Sequence, residues 1–178
     1  MRHMLIVLGI CLAAIVVGAG LYFYGPSELR ETPALNGTEA SALGADQAVP
    51  VSFTVLAEGT NASGVSERKN YAVYTQEDFV RLWTMAYGTD GEAMPAIDFD
   101  SQYVIGVFAG EKPSGGHTID VASITDASSI RTVSMALTRP GEGCMVSQAL
   151  TSPFQLIMVP VSDRELARTE TEVVAACQ

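Results

Sequence analysis

The chain is poor in the residues that most often carry chemistry. Its 178 residues hold two histidines and three cysteines. A metal site needs several His, Cys or carboxylate ligands at defined spacing. His3 precedes the first apolar run and no His-Glu-x-x-His pattern occurs, so no metal or cofactor is expected. A Ser-His-Asp or Cys-His arrangement would have to recruit His117. Ser114, three residues before it, and Cys144 are the conceivable nucleophiles, but proximity in sequence supplies no triad geometry. Positive charge is also scarce: ten Lys/Arg stand against twenty Asp/Glu, a formal net charge of −10. That balance argues against nucleic acid and against docking on anionic lipid, which both need basic patches.

What the chain has in excess is an apolar start. Residues 4–24, MLIVLGICLAAIVVGAGLYFY, carry no charge and no proline. As a helix rising about 1.5 Å per residue, they span roughly 30 Å, the hydrocarbon thickness of a bilayer. Tyr22, Phe23 and Tyr24 resemble an interfacial aromatic belt, and Gly25-Pro26 ends the helix. Arg2 and the start amine keep the N-terminus cytoplasmic, which leaves the rest of the chain in the periplasm or at the cell exterior, on a single-pass inner-membrane anchor. A cleaved signal ending at Val17-Gly18-Ala19 is the alternative and would release a secreted domain. The apolar run continues past that point, which favours the anchor. A lipoprotein site at Cys11 fits less well, because Ile10 stands where a small residue is wanted.

Residues 25–50 contain no aromatic and one basic residue among many Ala, Gly, Ser, Thr and Pro. They read as a flexible tether with an r.m.s. reach of about 25–30 Å. Residues 51–178 read as one β-rich domain. Alternation at 51–58 marks a first strand and 71–74 a second. Thr75 can cap a helix with Glu77 and Asp78 in its first turn. Phe79, Leu82, Trp83 and Ala86 follow at the spacing of one buried stripe, and Gly88 suits the helix end. Trp83 is therefore read as a core anchor. In the loop that follows, Ile97 and Phe99 read as apolar plugs around Asp98, which is read as capping backbone amides.

The domain is organised around residues 98–121. Residues 103–107 and 118–121 carry the β pattern, and Gly110-Glu111-Lys112-Pro113-Ser114-Gly115-Gly116 lies between them. Three glycines and a proline in seven residues mark a turn that needs positive φ. The expectation is a central hairpin whose glycines, Gly110, Gly115 and Gly116, are structural. Lys112, Pro113 and Ser114 form its tip, the place to look for contact with a partner. A phosphate loop is excluded: the Gly-Lys-Ser/Thr order is missing and no helix follows. Further strands are expected at 130–137, 144–149, 154–161 and weakly at 171–177, with a helical turn at 163–167. Short links favour antiparallel pairing. The fold class is α+β: about seven mainly antiparallel strands and one amphipathic helix, with a β-sandwich or partly closed barrel as the alternative.

Cys144 and Cys177 are the only cysteines of this domain. An oxidising compartment lets them pair within the chain, with two free thiols or intermolecular links as the alternatives. The bond would close a loop of about 33 residues and contribute roughly 3–4 kcal/mol on the chain-entropy view.

Taken as an ordered string, Trp83, then 95–99 (PAIDF), then 104–119 (VIGVFAGEKPSGGHTI) and 148–154 (QALTSPF) resemble the C-terminal domain of the PrcB family of cell-envelope proteins. The likeness runs over about 71–161. His117 departs from it, standing where an aromatic Tyr is expected. The resemblance implies a non-catalytic role: an accessory module that binds or stabilises a protease or another envelope protein. It supplies no catalytic residue. Two rival readings come from the residues themselves. One is a hydrolase or redox enzyme using Cys144, Cys177 or His117. The other is a small-ligand or cell-wall-binding domain with a pocket lined by Tyr87 or Tyr103. Oligomeric state is not legible.

Overall fold

The computed structural model describes residues 48–89 and 91–177. The expected membrane anchor, and all but the last residues of the tether, lie outside the described residues. Among the described residues no helix is long and apolar enough to cross a membrane.

The elements in chain order are β1 (Val49–Pro50), β2 (Thr54–Gly59), β3 (Lys69–Val73), α1 (Gln76–Tyr87), β4 (Gln102–Phe108), β5 (Thr118–Ala127), β6 (Ile130–Pro140), β7 (Phe154–Pro160) and β8 (Glu165–Ala175). They build two four-stranded sheets. The first runs β2-β7-β4-β3 and is antiparallel throughout; the second runs β1-β5-β6-β8. The sheets pack face to face through Tyr103, Ile105 and Val107 of β4 against Ile119, Val121 and Met135 of the second sheet. This is an open sandwich and not a closed barrel.

Helix α1 covers the other face of the first sheet. Thr75 caps it, its hydroxyl accepting from the Asp78 amide at 3.2 Å, and Gly88 ends it with φ +77°. Phe79, Leu82, Trp83 and Ala86 are the buried stripe, packed on Val104, Phe108 and Leu156. Burial of each large side chain contributes about 1.5–3 kcal/mol. The Trp83 indole N–H is satisfied by the Glu92 carbonyl at 2.9 Å, and its ring lies 4.9 Å from that of Tyr87. Ile97 and Phe99 pack on the same cluster. Asp98 between them accepts from the Asp100 amide at 3.2 Å and the Ser101 hydroxyl at 2.7 Å.

The first sheet is thus the middle of three layers, and its strands β7, β4 and β3 are buried on both faces. That explains the unbroken apolar run of β4, where alternation would be expected of a half-buried strand. Gly106 sits where α1 comes closest. A Cβ there would lie 2.9 Å from Leu82 Cδ1 and 3.0 Å from Leu156 Cδ2.

Three expectations need correction. The stretch 98–121 is not a hairpin. β4 pairs with β3 and β7, β5 pairs with β1 and β6, and the glycine-rich loop carries the chain from one sheet to the other. Residues 144–149 form no strand; they lie across that loop. The helical turn expected at 163–167 is the beginning of β8, which is eleven residues long and parallel to β6, from Ile130↔Glu165 to Pro140↔Ala175. The parallel pair arises because β7, inserted between them in sequence, belongs to the other sheet. A crossover through the opposite sheet replaces the crossover helix.

One end of the sandwich is closed by a buried ion pair. Arg131 reaches Asp126 at 2.8 and 2.9 Å and also donates to the Pro160 carbonyl. Asp126 in turn is approached by Arg164 at 3.5 Å. The hydrogen bond from Arg131, outweighing the cost of burial, holds the Asp126 carboxyl below its ordinary range. On an open flank, where the edge strands β3 and β8 leave the core uncovered, Arg68 donates to the Phe108 carbonyl at 3.0 Å and pairs with Glu170 at 2.5 Å.

Two outcomes follow from this packing. Gly106→Val should cost about 1–3 kcal/mol by overpacking between α1 and β7, measured by urea unfolding; an unchanged midpoint would contradict the close approach. Replacing Cys144 and Cys177 together by Ala should cost about 3–4 kcal/mol. Hydrogen exchange should then show β8 amides losing protection before those of β4, and equal loss in both strands would contradict an edge strand held by its terminal staple.

Candidate functional site

The glycine-rich loop at 109–117 is clamped from two sides. On one side Gly110, with φ +71°, lies against residues 66–68, where a Cβ would come within 2.7 Å of the Glu67 carbonyl carbon. The Glu111 amide donates to the Ser66 carbonyl at 2.9 Å. On the other side, Lys112 and Thr151 exchange backbone hydrogen bonds of 2.7 and 3.0 Å, and the Gly115 amide donates to the Ser147 carbonyl at 2.9 Å. A Cβ on Gly115 would meet Ser147 Oγ at 2.5 Å, and one on Gly116 (φ +79°) would meet Val146 at 3.1 Å. Each glycine answers a steric demand. The amides of 111, 112 and 115 are engaged by carbonyls, so they form no cradle of free N–H groups for a phosphate.

The three expected tip residues do not share one environment. Pro113 is exposed, whereas Lys112 and Ser114 are half-buried. The Ser114 hydroxyl donates to the Gly115 carbonyl at 3.2 Å and its own carbonyl accepts from the Thr151 hydroxyl at 2.9 Å. The tip is a surface strip lodged between neighbouring segments.

The neighbouring segment, 141–150, is the more conspicuous surface. Met145 is 101% exposed and Leu150 62%. Its Cys144 is bonded to Cys177 just beyond β8, with Sγ–Sγ 2.02 Å. The Gly141 amide donates to the Ala175 carbonyl at 3.0 Å. Val173 and Val174, at 41% and 54% exposure, complete an apolar rim at this end of the second sheet.

Between the loop and the second sheet lies a cavity of about 110 Å³ lined by Lys112, His117, Leu137, Arg139 and Glu172. The β5–β6 pairing Thr118↔Thr138 sets His117 beside Arg139. Burial, and then the charges of Lys112 and Arg139, hold the His117 imidazole below its ordinary pKa of 6.5.

The enzymatic reading loses its thiols, because Cys144 and Cys177 are both held in the disulfide. The pocket reading loses Tyr103, which is 1% exposed and stacks on Tyr74 at 5.0 Å. Tyr87 packs edge-on against Phe154 at 5.4 Å. Asp98 lies at the far ends of β4 and β7 from the loop: its carbonyl accepts from Gln102 at the start of β4, which pairs with Pro160. Two residues of this end carry no functional signal in the sequence: Arg139 lies just past the strand expected at 130–137, and Met145 lies within the one expected at 144–149. Only the β5–β6 register brings Arg139 to His117, and no local pattern carries that information.

Residues 103–160, the span from β4 through β7 with the glycine-rich loop inside it, match the family described as PrcB C-terminal. The matched span is shorter than the resemblance drawn from sequence and leaves α1 and its Trp83 outside. No curated protein and no solved structure matches the chain.

The environment of His117 has a consequence for stability. Its folded pKa lies below the unfolded value, so between the two the unfolded chain binds more protons. Stability must therefore fall as pH drops through 6.5 toward the folded pKa. Urea midpoints at about pH 7.5 and about pH 5.5 should show this loss for the native chain and a smaller one for His117→Gln. Equal losses would contradict the assignment.

Proposed function

With the family match as premise, we propose that this chain is an extracytoplasmic accessory module, held on the inner membrane by residues 4–24. It binds, or stabilises, a protease or another envelope protein. The observation that carries the reading is the match over 103–160, because that span contains the glycine-rich loop against which the exposed segment 141–150 is seated. The surface there suits a protein better than a small molecule. It presents Met145 and Leu150 on a backbone fixed by the disulfide and by hydrogen bonds to the loop. A backbone already fixed in the free chain has little conformational entropy left to lose when a partner covers it. A disulfide in the domain fits an oxidising compartment outside the cytoplasm. The module's role is to hold its partner, with no bond made or broken.

Photo-crosslinking from position 145 in the full-length chain, within its own cell envelope, tests this. A discrete adduct with one envelope protein is expected. Met145→Asp combined with Leu150→Asp should reduce recovery of that partner by about tenfold or more, as expected when apolar anchors are removed from an interface centre. Undiminished recovery would remove this surface from the interface.

A further inference from the structure

We propose that the cavity between Lys112, His117 and Arg139 binds a carboxylate, supplied by an acidic segment of the protein partner. Only the source of that carboxylate rests on the function proposed above. Three potential cations converge there from two parts of the chain: Lys112 and His117 from the clamped loop, and Arg139 from β6. Convergence of this kind is conspicuous in a chain with twice as many acidic as basic residues.

The described ion pairs take up Arg68, Arg81, Arg131 and Arg164. Neither Lys112 nor Arg139 enters one. Glu172 of β8 is the acid lining the same cavity, and it enters none of the described ion pairs. Among the fixed charges lining the cavity, Lys112 and Arg139 thus outnumber Glu172 by two to one.

The half-buried Leu137 forms an apolar part of the wall. A charge pair beside such a wall is screened less than one in open solvent. The size admits a carboxylate and its methylenes. Phosphate fits less well, since the loop amides that would cradle it already donate to Ser66, Thr151 and Ser147. The two cations that disfavour protonation of His117 would be offset by a bound carboxylate. Anion binding must therefore raise the His117 pKa, and affinity must rise as pH falls through its titration. Lys112, Arg139 and Glu172 are the charged groups facing the ring from the loop, β6 and β8.

The test uses the full-length chain in detergent micelles with labelled histidine, which gives two ring signals because the sequence holds two histidines. The probes are acetylated hexaglutamate, its hexaglutamine counterpart and inorganic phosphate. Hexaglutamate should move the His117 signal and raise its titration midpoint, while hexaglutamine should do neither. Lys112→Gln with Arg139→Gln should weaken the response by about tenfold with an unchanged melting temperature, as for loss of charge-assisted contacts. Glu172→Gln should strengthen it. No movement with hexaglutamate, equal movement with both peptides, or an undiminished response in the double variant would overturn the site. Tighter binding of phosphate than of peptide would overturn the carboxylate assignment. The two proposals fail separately. A cavity that binds hexaglutamate in a chain that crosslinks to no envelope protein sinks the proposed function alone. A position-145 adduct without any hexaglutamate response sinks the carboxylate site alone.

Discussion

The structure depends on one constraint: in the sheet β2-β7-β4-β3, the strands β7, β4 and β3 are buried on both faces. Its central strand β4 sends Val104 and Phe108 toward α1, and Tyr103, Ile105 and Val107 toward the second sheet. A strand in that position has no solvent face, so it cannot carry the polar alternation that keeps an ordinary antiparallel strand soluble. It must be covered twice, and the chain must supply both covers. Helix α1 is one and the β1-β5-β6-β8 sheet is the other. Gly106 follows from the same constraint, since a side chain there would hold the helix away from the sheet.

Double burial also explains the glycine-rich loop. After β4 the chain has to leave the middle layer and begin the outer sheet, within nine residues and beside two other segments already in place. Backbone then packs on backbone at Gly110, and on side chains at Gly115 and Gly116. The same composition would serve a hairpin turn, and for that reason the local sequence reads as a hairpin. Turn chemistry specifies positive φ and close approach. It does not specify which strand the chain meets next.

That distinction sets what was legible. Helix α1 could be read almost residue by residue because its signals are local: Thr75 caps, the apolar stripe repeats, Gly88 terminates. The loop around Asp98 was legible for the same reason. The strands β4, β5, β6 and β7 were visible, but their partners were not. β8 was nearly invisible, since it is an edge strand with most of its length exposed. Glu165, Arg168, Glu170 and Glu172 give it the polarity of a loop. Those charges have a structural use: a long free edge bearing like and unlike charges is a poor template for pairing with another chain. The two cysteines were legible as a pair. That their bond would fix the last strand to the segment carrying Met145 depends on the parallel β6–β8 register, which no local pattern encodes.

Net charge was the least reliable guide to the candidate site. A total of −10 describes the chain as seen from afar. At physiological ionic strength the Debye length is about 8 Å, so a partner at contact responds to the few charges within that radius. At the cavity beside the glycine-rich loop the lining charges are Lys112, Arg139 and a suppressed His117, with Glu172 opposing them, while Glu111 of the loop itself is exposed to solvent. An acidic protein can in this way hold an acidic ligand, provided the fold keeps its own carboxylates from closing on the cations. Here the arrangement meets that condition: the loop fixes Lys112 through its backbone, the β5–β6 register places Arg139, and the described ion pairs lie elsewhere.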